Sequence, residues 1–210
     1  MFDGYSIGAE NKNFFRMKSF KIEGTQRSEL GKKATRQLRS EGKVPGVIYG
    51  KENTHFSTSQ LALRHLVFTP NFQIAEITVD GKTHNCILKD MQFDVLTDEL
   101  SHIDFLELQE DRKVVADVPL KFVGTSLGVK AGGRFVPKMN KIKVRTYPKH
   151  LVEAIEVSID ALEIGGNIRV EDVKADNMEI MNSPRIPVAS VVTTRALRQA
   201  ETDAAAATKK

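Results

Sequence analysis

The sequence predicts a mainly β protein with a few short helices, an α+β chain arranged as two β-rich domains. Runs of strand length, rich in Val, Ile and Phe and broken by Gly, Pro and an Asp-Gly pair, recur along the chain. Only two short stretches carry helical spacing. The charged string Gln109-Glu110-Asp111-Arg112-Lys113 separates a first β pattern from a second, and 210 residues with 40% apolar content can form two modest cores. The predicted domains are therefore 17–110 and 111–195, with 1–16 as a disordered leader or upstream extension and 196–210 as a flexible tail.

Met17 opens M-K-S-F-K-I-E-G, where β-formers begin at once, and Ser19 to Gly24 reads as the first strand. The preceding MFDGYSIGAENKNFFR has no apolar core of signal-peptide length and carries Asp3 and Glu10 beside Lys12 and Arg16, so export is unsupported. Its alternative reading is an ordered arm anchored by Phe2, Tyr5, Phe14 and Phe15. Gly31 then introduces a helix from Lys32 to Ser40, closed by Gly42 and Pro45. At about 100° per residue Lys32, Arg36 and Arg39 form one stripe, with Ala34 and Leu38 on the opposite side. One side packs and the other presents cations.

Val44 to Tyr49 is a compact apolar strand, and Ser57 to Phe68 reads as a second helix stopped before Pro70. Phe72 to Val79 alternates, Asp80-Gly81 marks a hairpin, and Thr83 to Met91 returns as its partner strand. Leu100 to Leu108 adds another. In the second half, strands are predicted over Val114 to Val123, Lys141 to Thr146, Ala154 to Ile159 and Asn167 to Val170. Gly124 to Gly133 is rich in glycine but lacks the Gly-Lys-Ser/Thr of a phosphate loop, so it reads as a tight β-turn region. Gln199 to Lys210 is alanine-rich with few large apolar groups, a disordered or loosely helical tail.

Charge is concentrated. Lys18 to Lys51 holds nine Lys/Arg against three acids, a local excess of +6 beside +4 for the whole chain. Such a patch is the electrostatic footprint of a nucleic-acid binder. Glu52 to Glu110 reverses the sign, with three basic residues against ten acids. A second basic stretch, Lys121 to His150, has eight basic residues and no acid, and Leu151 to Ile180 answers with eight acids against two bases.

Other chemistries fit poorly. No apolar run approaches the roughly 20 residues that span a bilayer. Cys86 is the only cysteine, which excludes an internal disulfide and suits a reducing, cytoplasmic compartment. His84 and Cys86 share a strand face, but no second pair completes a zinc site. His102 and Asp104, two apart on a strand, also share a face, so the carboxylate can orient the imidazole. They read either as a hydrogen-bonded surface pair, as a group that meets a 2′-hydroxyl or base edge, or as two-thirds of a triad; no serine or cysteine in a nucleophile elbow completes the last. Tyr49 either stacks a base or packs with its hydroxyl at the surface.

The motif R-x-x-x-G-K-x-A-[ST]-R-x-L-R-x-x-G-K-x-P-[AG]-V-I-Y-G from Arg27 to Gly50, followed by K-D-M-Q (Lys89 to Gln92) and H-I-D-F (His102 to Phe105), resembles bacterial ribosomal protein twenty-five of the large subunit. Val118 to Gly133 and Ile155 to Gly166 resemble the C-terminal domain of its long form, the Ctc or general stress protein type. The similarity runs from about Met17 to Val192. It implies an N-terminal closed β-barrel that binds the loop E region of 5S ribosomal RNA and a C-terminal domain that reaches neighbours in the central protuberance. Carried over by residue, it makes Arg27, Lys32, Arg36, Arg39, Lys43, Tyr49, Gln92, His102 and Asp104 the expected RNA-binding set. It implies no catalysis, cofactor, metal, membrane or small-molecule substrate. Two departures stand out: Lys33 replaces a residue that is usually small, and Phe93-Asp94-Val95 replaces a more basic, His-Pro-containing run. The rival expectation is a stress-related protein-interaction factor whose Lys121 to Lys149 stretch meets an acidic partner while RNA contact is incidental.

Overall fold

The computed structural model describes residues 17, 19–195 and 199. The predicted leader, 1–16, and the predicted tail, 196–210 apart from Gln199, lie outside the described residues. The chain forms two compact units, the first comprising residues up to Thr69, Gln73–Val114 and Tyr147–Val152, and the second Pro70–Phe72, Val115–Thr146 and Glu153 onward.

In the first unit β1 (Ser19–Gln26), β2 (Lys43–Tyr49), β3 (Asn53–Ser59), β4 (Ile74–Val79), β5 (Lys82–Phe93) and β6 (Leu100–Glu107) form a closed barrel in the order β1-β3-β2-β6-β5-β4. Parallel pairing of β1 with β4, from Ser19↔Ile74 to Gly24↔Val79, completes the closure. A closed sheet leaves no edge strand to recruit another chain. Inward side chains alternate with outward ones along each strand, and Ile22, Ile48, Phe56, Ile103 and Phe105 are buried in one cluster. The Phe56 and Phe105 rings stand 6.0 Å apart.

Six strands leave little room inside. A Cβ at Gly24 or Gly46 would lie 2.7 or 2.8 Å from the Phe56 ring, so glycine at both positions is what admits the phenyl group. Helix α1 (Lys32–Ser40) has the predicted bounds. The Asp80-Gly81 turn has φ of 47° and 82°, both in the left-handed region that a two-residue hairpin requires.

The predicted helix over Ser57–Phe68 begins later, as α2 (Gln60–Val67). Ser57 and Thr58 belong instead to β3, which pairs with both β1 and β2. The Thr58 hydroxyl donates to the Glu23 carbonyl at 2.7 Å, and Phe56 fills the barrel. A strand with Phe56 as its one large apolar residue among Asn, Thr, His and Ser gives a faint period-2 signal, so tertiary pairing decides it. Helix α2 contributes Leu63 and Leu66 to the core.

The second unit has two sheets. Strands β7 (Val114–Val123), β9 (Lys141–Thr146), β10 (Ile155–Ser158) and β12 (Glu179–Ile180) form one in the order β10-β7-β9-β12. Strands β8 (Arg134–Pro137), β11 (Asn167–Arg169) and β13 (Pro187–Val192) form the other in the order β11-β13-β8. The predicted turn region Gly124 to Gly133 holds a one-turn helix, α3 (Leu127–Lys130). Ser126 creates it: its hydroxyl accepts from the Gly128 and Val129 N–H groups and donates to the Leu162 carbonyl.

The opposite-sign blocks of the second half become cross-strand neighbours. Lys121 is in register with Glu156 and pairs with it at 3.6 Å, and Arg145 is in register with Glu179 at 3.9 Å. Such exposed pairs contribute about 0–1 kcal/mol each. Two of the eight cations in the basic stretch, Lys121 and Arg145, thus face acids of their own chain.

Candidate nucleic-acid interface

Burial of Ile103 and Phe105 inside the barrel turns His102 and Asp104 outward on β6. Strand β5 lies alongside with Gln92 opposite His102 and Asp90 opposite Asp104. Lys89 is the extra residue of a bulge between Leu88 and Asp90. On the other flank β2 runs parallel, with Val47 beside Asp104 and Tyr49 beside Leu106. Tyr49, Gln92, His102 and Asp104 thus meet on the outer surface of three adjacent strands.

Asp104 is the pivot of this surface. His102 Nδ1 lies 3.4 Å from Asp104 Oδ1, within ion-pair reach. That oxygen is buried, however, and no donor meets it at a hydrogen-bonding angle. The charge of Asp104, followed by burial and a hydrogen bond to its carboxylate, raises the Tyr49 phenol above its ordinary pKa. Lys89 Nζ stands 4.6 Å from the centroid of the Tyr49 ring. Asp90 stands opposite Asp104 in the strand register, and its Oδ1 accepts from the Met91 N–H at 2.8 Å. The site is therefore an acceptor-rich outer surface with Lys89 at its edge.

Helix α1 supplies the cationic side. Lys32, Lys33 and Arg36 are exposed, and Ala34 and Leu38 are half-buried on the side that packs. Arg39 departs from the simple stripe: its Nε–H donates to the Ser101 carbonyl at 3.0 Å, tying the end of α1 to β6. The Ser101 hydroxyl donates in turn to the Gln92 carbonyl at 3.1 Å. One chain of contacts therefore joins α1, β6 and β5 beside His102.

Arg27 and Lys43 also make contacts within the chain. Arg27 Nη2 reaches the Glu29 carbonyl at 3.3 Å and the Thr35 hydroxyl at 3.5 Å, while its buried Nε has no acceptor. Lys43 pairs with Glu41 at 3.3 Å. Both line a cleft of about 320 Å³ beneath α1, with Gln37, Leu38 and Ser57. Lys89 and Ser101 are the site residues that the sequence reading left out. Lys89 lies within the K-D-M-Q motif, but a bulge leaves no mark in residue periodicity.

Cys86 is buried in the barrel, and burial followed by the charge of Glu107 pushes its thiol well above the ordinary range. His84 Nδ1 lies 2.6 Å from Glu107 Oε1. Among the described residues, no group of three or more His, Cys, Asp or Glu side chains could hold a metal ion, and no helix is long and apolar enough to cross a membrane.

The Ribosomal L25p family matches residues 22–105, and the C-terminal domain of ribosomal protein TL5 matches residues 113–195. A protein of Amoebophilus asiaticus is 42% identical over 195 residues, spanning 92% of this chain and 100% of its own length. The chain belongs to the ribosomal L25p family. Relatives in Phocaeicola vulgatus and Cytophaga hutchinsonii are each 37% identical, over 88% and 90% of this chain and 97% and 99% of their own. All three carry the name large ribosomal subunit protein bL25. This L25p protein is accordingly a structural ribosomal component and not an enzyme. The L25p match covers the barrel strands from within β1 to within β6.

Proposed function

We propose that this L25p protein binds 5S ribosomal RNA, at its loop E region, through the outer face of β2, β6 and β5 together with α1, and helps stabilise the central protuberance of the large subunit during translation. Residues 17–110 act as the RNA-binding module, and 111–195 reach neighbouring components. The protein works in the cytoplasm, bound to the ribosome. The Arg39–Ser101 bond carries the reading, because it sets a cationic helix beside the polar surface of Gln92, His102 and Asp104. An RNA helix hides base edges in a deep major groove and displays 2′-hydroxyls in a wide minor groove. A 2′-hydroxyl or base amino group meets the polar surface formed by Gln92, His102 and the accessible part of Asp104, while Lys32 and Arg36 meet phosphates. Tyr49, Gln92 and His102 complete the polar surface, and Arg27, Arg39 and Lys43 add cations to the RNA-binding set.

The rival, a stress-related factor that binds an acidic protein through Lys121 to Lys149, has less support because Lys121 and Arg145 already pair with Glu156 and Glu179. Salt titration separates the two. Arg36→Ala should weaken 5S RNA binding and reduce the slope of log affinity against log salt by about one. Purified protein that ignores 5S RNA while holding a protein partner at the same salt would overturn the proposal.

A further inference from the structure

The turn between β5 and β6 presents Val95 and Leu96 with 94% and 93% of their surface exposed. Turn tips ordinarily carry small or polar residues. This tip is firmly built. Asp94 N–H donates to the Glu99 carbonyl at 2.8 Å, and Asp98 N–H donates to the Asp94 carbonyl at 3.0 Å. Asp94 Oδ1 accepts from the Leu96 and Thr97 N–H groups at 2.9 and 3.3 Å. The backbone that carries the two apolar side chains is therefore fixed before any partner arrives, which lowers the ordering cost of binding. Below them Phe93 meets the exposed Phe68 at the end of α2, with ring centroids 6.4 Å apart, so apolar surface continues down the hairpin.

The tip stands on the strands that carry Gln92 and His102, beside the proposed RNA face. In a ribosomal particle such a tip meets water, RNA or protein. Two fully displayed large apolar side chains argue against water. Exposed Asp98 and Glu99, with Asp94 at the base of the turn, argue against a phosphate backbone, which they would repel.

We infer that the 93–99 hairpin tip docks a neighbouring ribosomal protein, one presenting an apolar socket for Val95 and Leu96 and a Lys/Arg rim for Asp98 and Glu99. The inference rests on the proposed place of the chain in the large subunit. Its test uses full-length protein carrying a photocrosslinking amino acid at position 96, assembled into purified large subunits, with the cross-linked peptide identified by mass spectrometry. A cross-link to a peptide of another ribosomal protein with Lys or Arg near the attachment point is the expected result. A cross-link to RNA, to a second copy, to this chain's own second unit, or to nothing would overturn it.

The double variant Val95→Ser/Leu96→Ser gives an independent reading. It should keep 5S RNA affinity within about twofold and lose retention on washed subunits by about tenfold or more. Unchanged retention would also overturn the inference. Wild-type protein that fails to bind both 5S RNA and subunits would instead refute the proposed function.

Discussion

Arg39 Nε–H donates to the Ser101 carbonyl at 3.0 Å, joining helix α1 to strand β6 across 62 residues of sequence. The bond makes Arg39 a positioning residue as well as a cation. Arg39→Lys keeps the charge but loses the planar donor fork. It should lower 5S RNA affinity several-fold while leaving the salt slope unchanged, whereas Arg39→Ala should reduce both. Filter binding across a salt series checks this; wild-type affinity in Arg39→Lys would show that the tether contributes nothing, and equal slopes for the two variants would show that the charge does not. The stability cost should stay near 1 kcal/mol, the range of one ordinary hydrogen bond.

Asp104 controls Tyr49. The phenol's raised pKa means that its neutral form is favoured by the fold, so this stabilisation is present below about pH 10 and is lost as pH rises through the folded value. Asp104→Asn should bring the Tyr49 titration, followed by phenolate absorbance, to lower pH. An unmoved midpoint would remove Asp104 as its cause. Asp104→Ala should also weaken 5S RNA binding by about tenfold to a hundredfold, the scale of a hydrogen bond to a charged group.

The barrel interior has a steric limit at Gly46. A methyl group there meets the Phe56 ring at 2.8 Å and Ile103 at 3.0 Å. Gly46→Ala should destabilise the protein by about 1–3 kcal/mol in urea unfolding. Adding Phe56→Leu should cost less than the two single changes summed, because the smaller ring-free side chain makes room. Strict additivity would contradict the contact.

Cys86 reports on the same core. With its thiol buried and its pKa driven up by burial and then by Glu107, the native protein should resist thiol reagents at neutral pH and react only on unfolding. Mass spectrometry of native and urea-treated protein after labelling distinguishes the outcomes; rapid native labelling would mean that the barrel opens locally.

Local signals made much of this fold legible. Helix α1 ends where Gly42 and Pro45 say it should, and Asp80-Gly81 forms the hairpin its residue types demand. Strand β3 was hidden because Thr54, Phe56 and Thr58 alternate too weakly without their partners β1 and β2. Strand β8 has only four residues, and α3 depends on one Ser126 hydroxyl aimed at Leu162. In the site, the shared face of His102 and Asp104 follows from spacing alone. The Lys89 bulge and the Arg39 tether arise from contacts between distant segments, which no local period encodes.

The most direct measurement is chemical probing of 5S ribosomal RNA with and without saturating full-length protein. Protection confined to the loop E region, weakened by Arg36→Ala and by Asp104→Ala, is the expected result. An RNA reactivity profile unchanged by the protein would contradict the account.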